Sequence, residues 1–62
     1  MNKPKVKLVG TDGNVFAVIG HCARALRKAG QADKAKEMTE SAFKARSYDE
    51  ALGICMRYVD AY

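Results

Sequence analysis

Apolar side chains at Val15, Val18, Ile19, Cys22, Leu26 and Ala29 recur at intervals of three and four residues. That period matches one face of an α-helix and neither face of a strand. The stripe is bounded at both ends. Asn14 precedes it as a helix cap, and a basic last turn, Arg24 to Lys28, runs into Gly30, a helix stop. A helix over about 15–29 is therefore expected, and the rest of the chain must cover its apolar face. Two other structures compete for its first half. Asp12-Gly13 is a hairpin signal that would make 15–19 a second strand, and a strand to Ile19 with helix after Gly20 lies between the two. The helical spacing fits these residues better.

Two further helices follow. The first is expected over about 32–45, with Asp33 in the turn where an acid favours the helix dipole. Ala35, Met38, Ala42 and Ala45 form its thin apolar stripe, with Phe43 at the edge. Ser47-Tyr48-Asp49-Glu50 reads as a capping box, in which Ser47 caps the helix and Glu50 reaches back to the Ser47 amide. The spacing predicts a third helix over about 48–61, with Tyr48, Ala51, Leu52, Cys55, Val59 and Tyr62 on one face.

Before the first helix, Lys5-Val6-Lys7-Leu8-Val9 alternates charged and apolar residues, which is the pattern of a strand with one wet face. Pro4 limits it, and Gly10-Thr11-Asp12-Gly13-Asn14 is a dense turn signal. The expected fold is thus mainly α. A short basic strand over about 5–9 precedes three helices in a single domain spanning 1–62. Such a strand has no partner within this plan. A core of 62 residues rarely contributes more than about 3–5 kcal/mol net. Both points argue for a homo-oligomer, most simply a symmetric dimer.

The length excludes a nucleotide-binding α/β domain and any two-domain enzyme. The net charge is +4 and unevenly spread: residues 1–30 carry six Lys/Arg and one acid, and residues 31–62 carry five Lys/Arg and six acids. A basic half points to an anionic partner, whether nucleic acid, a nucleotide or an acidic protein surface. No apolar run follows a basic start, so no secretory signal is read. The longest charge-free run, Gly13 to Ala23, is about half a membrane span. The expectation is a cytoplasmic chain that does not enter a membrane and whose two cysteines stay reduced. One His and two Cys show no zinc spacing, and no cofactor is expected.

The strings VKLVGTDGNVFAVIGHCARALRKAG and SYDEALGICMRYVD carry a resemblance. With their Asp-Gly-Asn turn, Phe-containing helix with Gly, and Ala-Leu-Arg-x-Ala-Gly helix end, they resemble a widespread group of small bacterial, prophage and phage proteins. The resemblance covers most of the chain and brings no activity with it. It implies the setting of a phage accessory gene, commonly a regulator or an inhibitor of host defence.

Several residues are candidates for binding. His21, Arg24 and Lys28 align on the first helix, Arg27 lies beside them, and Gly20 and Ala17 leave that side shallow. A shallow floor ringed by guanidinium and imidazole groups suits a phosphate, since Arg donates two parallel hydrogen bonds to phosphate oxygens. Gly20 also suits the close approach of another helix. Thr11 and Asn14 lie in a loop that leads into a helix N-terminus, where free amides attract anions. Tyr58 and Tyr62, four residues apart, are candidates for stacking or for an interface. Cys22 and His21 diverge by about 100° on a helix, which argues against a nucleophile pair. No pair of acids presents itself for catalysis, so the chain is expected to act by binding.

A second reading rests on Lys3, Lys5 and Lys7. A basic strand, a helix, a turn and a helix, in that order, resemble the ribbon-helix-helix repressors, whose paired strands enter the major groove of DNA. The chain departs from them in three ways. A Gly-rich loop separates strand from helix, the second helix starts Gly30-Gln31-Ala32, and the strand offers only Lys to read bases.

Overall fold

The computed structural model describes residues 3–7 and 14–62. Within them the chain forms a strand β1 (Lys5–Val6) and helices α1 (Val15–Lys28), α2 (Ala32–Phe43) and α3 (Tyr48–Cys55). A second strand, β2 (Asp60–Ala61), follows α3. The expectation that β1 continues to residue 9, and the turn containing Thr11, lie outside the described residues.

The start of α1 settles the choice between helix and hairpin in favour of helix. The Asn14 side-chain oxygen accepts the Phe16 amide at 2.9 Å, the geometry of an N-cap. The other end closes as a Schellman motif. Gln31 N donates to Leu26 O at 2.8 Å and Gly30 N to Arg27 O at 3.1 Å. This closure needs a left-handed residue, and Gly30 supplies it with φ of 77°. α2 follows almost at once and ends two residues earlier than its spacing suggested.

The capping box of α3 is half formed. Ser47 Oγ accepts the Glu50 amide at 3.1 Å. The reciprocal bond, from the Ser47 amide to the Glu50 carboxylate, is not made among the described residues. The single cap predicts that Ser47→Ala lowers stability by about 0.5–2 kcal/mol, read as a shift in the denaturant midpoint. An unchanged midpoint places the start of α3 elsewhere.

The expected third helix to residue 61 is wrong in its second half. α3 stops at Cys55, and the chain tightens into three-residue hydrogen bonds, Arg57 N to Ile54 O and Tyr58 N to Cys55 O. It then leaves the helix axis. β2 lies parallel to β1, with Lys5 opposite Asp60 and Val6 opposite Ala61. Asp60 N donates to Pro4 O at 2.8 Å and Tyr62 N to Val6 O at 2.9 Å. The reason is the backbone of β1, whose polar groups need partners that a longer helix cannot supply. Parallel strands require a long crossover, and the three helices together form it.

One core holds these elements together. α1 contributes Val18, Ile19, Cys22, Ala23 and Leu26, α2 contributes Ala35, Met38 and Ala42, and α3 contributes Ala51 and Cys55. Val6 of β1 and Val59, just before β2, close one side. Val59 is buried as expected, but from a turn and not from a helix. Tyr48 and Tyr62, expected on the buried face of α3, are exposed. The strand pairing also removes one ground for self-association, because β1 finds its partner inside its own chain.

Tyr58 shows how the last segment is tied down. Its hydroxyl donates to Glu37 Oε2 of α2 at 2.5 Å. That bond, then burial and the Glu37 charge, hold the phenol above its usual value of 10.0, against the opposing pull of Arg57. A raised value favours the protonated phenol in the folded state. The contribution is therefore present up to the unfolded value and is lost as the pH climbs through the folded one. An alkaline absorbance titration should show one phenol ionising late, and Tyr58→Phe should remove that phase. If the variant's curve loses only an ordinary phase, the bond is not made.

Candidate anion-binding site

α1 carries its apolar stripe inward, so the residues between the stripe positions face outward as a set. Ala17, Gly20, His21, Arg24 and Arg27 line one groove of about 370 Å³ on that outer face. Four of the five residues expected to form a cationic cluster are thus brought together. The fifth, Lys28, is exposed on the same helix but does not line the groove.

Gly20 forms the floor. A Cβ built there meets nothing within 4 Å, and the residue is exposed. The close approach of another helix, which Gly20 also suited, does not occur among the described residues. A glycine inside a helix costs about 1 kcal/mol relative to Ala, and no packing among the described residues explains it here. Among the described residues, Arg24, Arg27 and His21 have no hydrogen-bond or ion-pair partner. The groove therefore presents two guanidinium groups and an imidazole to solvent with their donors unspent. Such donors fit a phosphate or a carboxylate.

The other candidates are placed as follows. Lys5 and Lys7 are exposed on either side of buried Val6, as the alternation implied. Lys3 is partly spent, since its Nζ donates to Met56 O at 3.2 Å beyond the end of α3. Asn14 is occupied as the cap of α1. Tyr58 is committed to Glu37, and Tyr62 is exposed at the end of β2. Their four-residue spacing does not place them on one side, because neither residue is helical.

The thiols are placed as expected of structural cysteines. Both are free and buried, while His21 faces solvent. Cys22 and Cys55 meet in the core between α1 and α3. The hydrogen bond to Cys55, then burial, pushes the Cys22 thiol up. A raised thiol carries little thiolate and is a poor nucleophile.

Sequence reasoning missed a second surface. Phe16 of α1 is 67% exposed and Phe43 of α2 57% exposed, with ring centroids 5.7 Å apart and planes inclined at 48°. With Tyr48 they edge a cleft of about 280 Å³. The signal was present in the sequence, because Phe16 falls off the stripe of α1 and Phe43 lies at the margin of that of α2. Among the described residues, no helix is long and apolar enough to cross a membrane. Comparison with family models, with curated proteins and with solved structures finds no match for this chain.

Proposed function

We propose that this chain is a small non-enzymatic binding protein that holds an anionic ligand or an acidic partner through the outer face of α1. The observation that carries this reading is the groove of Gly20, His21, Arg24 and Arg27, whose cationic donors are unpartnered among the described residues. Arg24 and Arg27 take the oxygens of a phosphate or carboxylate, His21 adds a donor, and Gly20 leaves the floor open. On this reading the protein has an accessory role, with an anionic signal or a host defence protein as the thing held.

The DNA-binding alternative uses Lys5 and Lys7. It is less well supported, because β1 spends one edge on β2 in parallel. A ribbon between two copies needs antiparallel pairing of a longer strand.

The test is a double charge reversal. Arg24→Glu with Arg27→Glu should abolish binding of a panel of nucleotides and inorganic pyrophosphate. Stability should fall by no more than about 1 kcal/mol, since both residues are exposed and unpaired and the main cost is an acid in the last turn of α1, at Arg27. Lys5→Ala with Lys7→Ala should leave that binding intact. A duplex-DNA binder gives the opposite pattern, with a steep fall in affinity as salt rises. Unchanged anion binding in the Arg24/Arg27 variant, or none in the wild type, removes this reading.

A further inference from the structure

The chain has two cysteines, Cys22 in the middle of α1 and Cys55 at the last residue of α3. They are far apart in sequence, with the whole of α2 between them. The fold nonetheless brings them together. Both are 0% exposed and belong to one core cluster, and the Cys22 thiol hydrogen-bonds to the Cys55 sulfur. Sulfurs in contact, each on a one-carbon arm, reach bonding distance by side-chain rotation and a small shift of the backbone. We propose that Cys22 and Cys55 are a redox pair, which a low-molecular-weight disulfide such as oxidised glutathione converts reversibly into an internal disulfide between α1 and α3. The pair lies on the inner face of α1, so the proposal is independent of the anion groove on the outer one.

Three features fit the pair for this exchange. The first is an unequal division of the proton. The Cys22 thiol donates to the Cys55 sulfur, which keeps Cys22 protonated and pulls the Cys55 thiol below its ordinary value of 9.0. The thiolate is the attacking form, and a neighbouring donor stabilises it. Cys55 is therefore the attacking sulfur and Cys22 the resolving one. The second feature is position. Cys55 ends α3, where the chain passes into three-residue hydrogen bonds, so a local opening of that turn is the route by which a small disulfide reaches it. The third is the loop that the bond closes. It encloses all of α2, and a crosslink over so long a loop restricts the unfolded chain far more than the folded one.

The reaction balances as two exchanges. Cys55, its proton given to solvent, attacks one sulfur of the small disulfide and expels one thiolate, leaving a mixed disulfide on Cys55. Cys22 then gives its proton to solvent and attacks the Cys55 sulfur, which forms the internal S–S bond and expels the second thiolate. Both expelled thiolates take up protons. The protein has lost two electrons and two protons, and the small disulfide has become two thiols. In a reducing medium the equilibrium lies with the free thiols.

The test equilibrates the purified chain with mixtures of reduced and oxidised glutathione and then blocks free thiols with an alkylating agent. Intact mass counts the blocked thiols, and a peptide map locates any bond. The expected product is a monomer with no blocked thiol, no attached glutathione and a Cys22–Cys55 link. The equilibrium constant for that link should be about tenfold or more larger for the native chain than for the chain unfolded in urea. The urea midpoint of the oxidised chain should rise accordingly, and reduction should restore the lower value. In Cys22→Ala the midpoint should not respond to oxidised glutathione. If that variant does not fold, the comparison of native and unfolded wild type decides alone. Mixed disulfides without the internal link, or disulfide-linked dimers, overturn the proposal. So does an equilibrium constant no larger for the native chain than for the unfolded one.

Discussion

Leu26→Ala should leave the chain largely unfolded at 25 °C. Leu26 is 0% exposed and is among the largest fully buried side chains, at the level where α1 packs against the rest of the core. Removing it deletes the apolar contacts of the side chain and opens a cavity that helices tied by short turns cannot close. Such substitutions cost about 2–5 kcal/mol. A core of this size rarely contributes more than about 3–5 kcal/mol in total, so most or all of the stability is lost. Leu26 O also accepts the Gln31 amide, but that bond survives the change because it uses the backbone. The measurement is far-UV circular dichroism through a thermal scan. A cooperative transition within a few degrees of the wild type means that Leu26 is not at the centre of the core.

Val59→Asp should have an effect of similar size for a different reason. Val59 is 1% exposed, in the turn between α3 and β2. Among the described residues no charged side chain is buried in the core to meet a carboxylate there, and a buried unpaired charge leads to neutralisation or to unfolding. The folded state therefore raises the value of the new carboxyl. Whatever stability the variant keeps is present at acid pH and is lost as the pH rises through the ordinary Asp range. Circular dichroism at about pH 4 and pH 7 reads this directly, with more structure expected at the lower value. A variant that melts like the wild type at neutral pH shows that residue 59 faces water and that β2 does not close the core.

The two residues also mark how far the sequence could be read. Leu26 was placed in the core by spacing alone, because α1 is long, capped by Asn14 and stopped by Gly30, and each signal is local. The groove on α1 was legible for the same reason: once the apolar stripe is turned inward, Gly20, His21, Arg24 and Arg27 have one direction left. Val59 was placed in the core but on the wrong element. The apolar period of α3 runs on through Val59 to Tyr62, so nothing local ends the helix at Cys55. What ends it is the demand of Pro4 and Val6 for backbone partners, a demand made by residues at the far side of the sequence. Phe43 was seen only as a margin of α2, and its proximity to Phe16 depends on how two helices cross, which no spacing within either one encodes.

The pairing of β1 with β2 bears on the order in which the molecule is made. Synthesis proceeds from the amino end, so Lys5 and Val6 leave the ribosome before any helix, and Asp60 and Ala61 leave it after all three. Helices form from local contacts within microseconds or less, whereas a pairing between distant segments waits for the whole intervening chain. The backbone of β1 thus has no strand partner until Asp60 and Ala61 have been made. The basic residues in and beside β1, Lys3, Lys5 and Lys7, supply the charge that keeps an unpaired strand from joining its neighbours on a polysome.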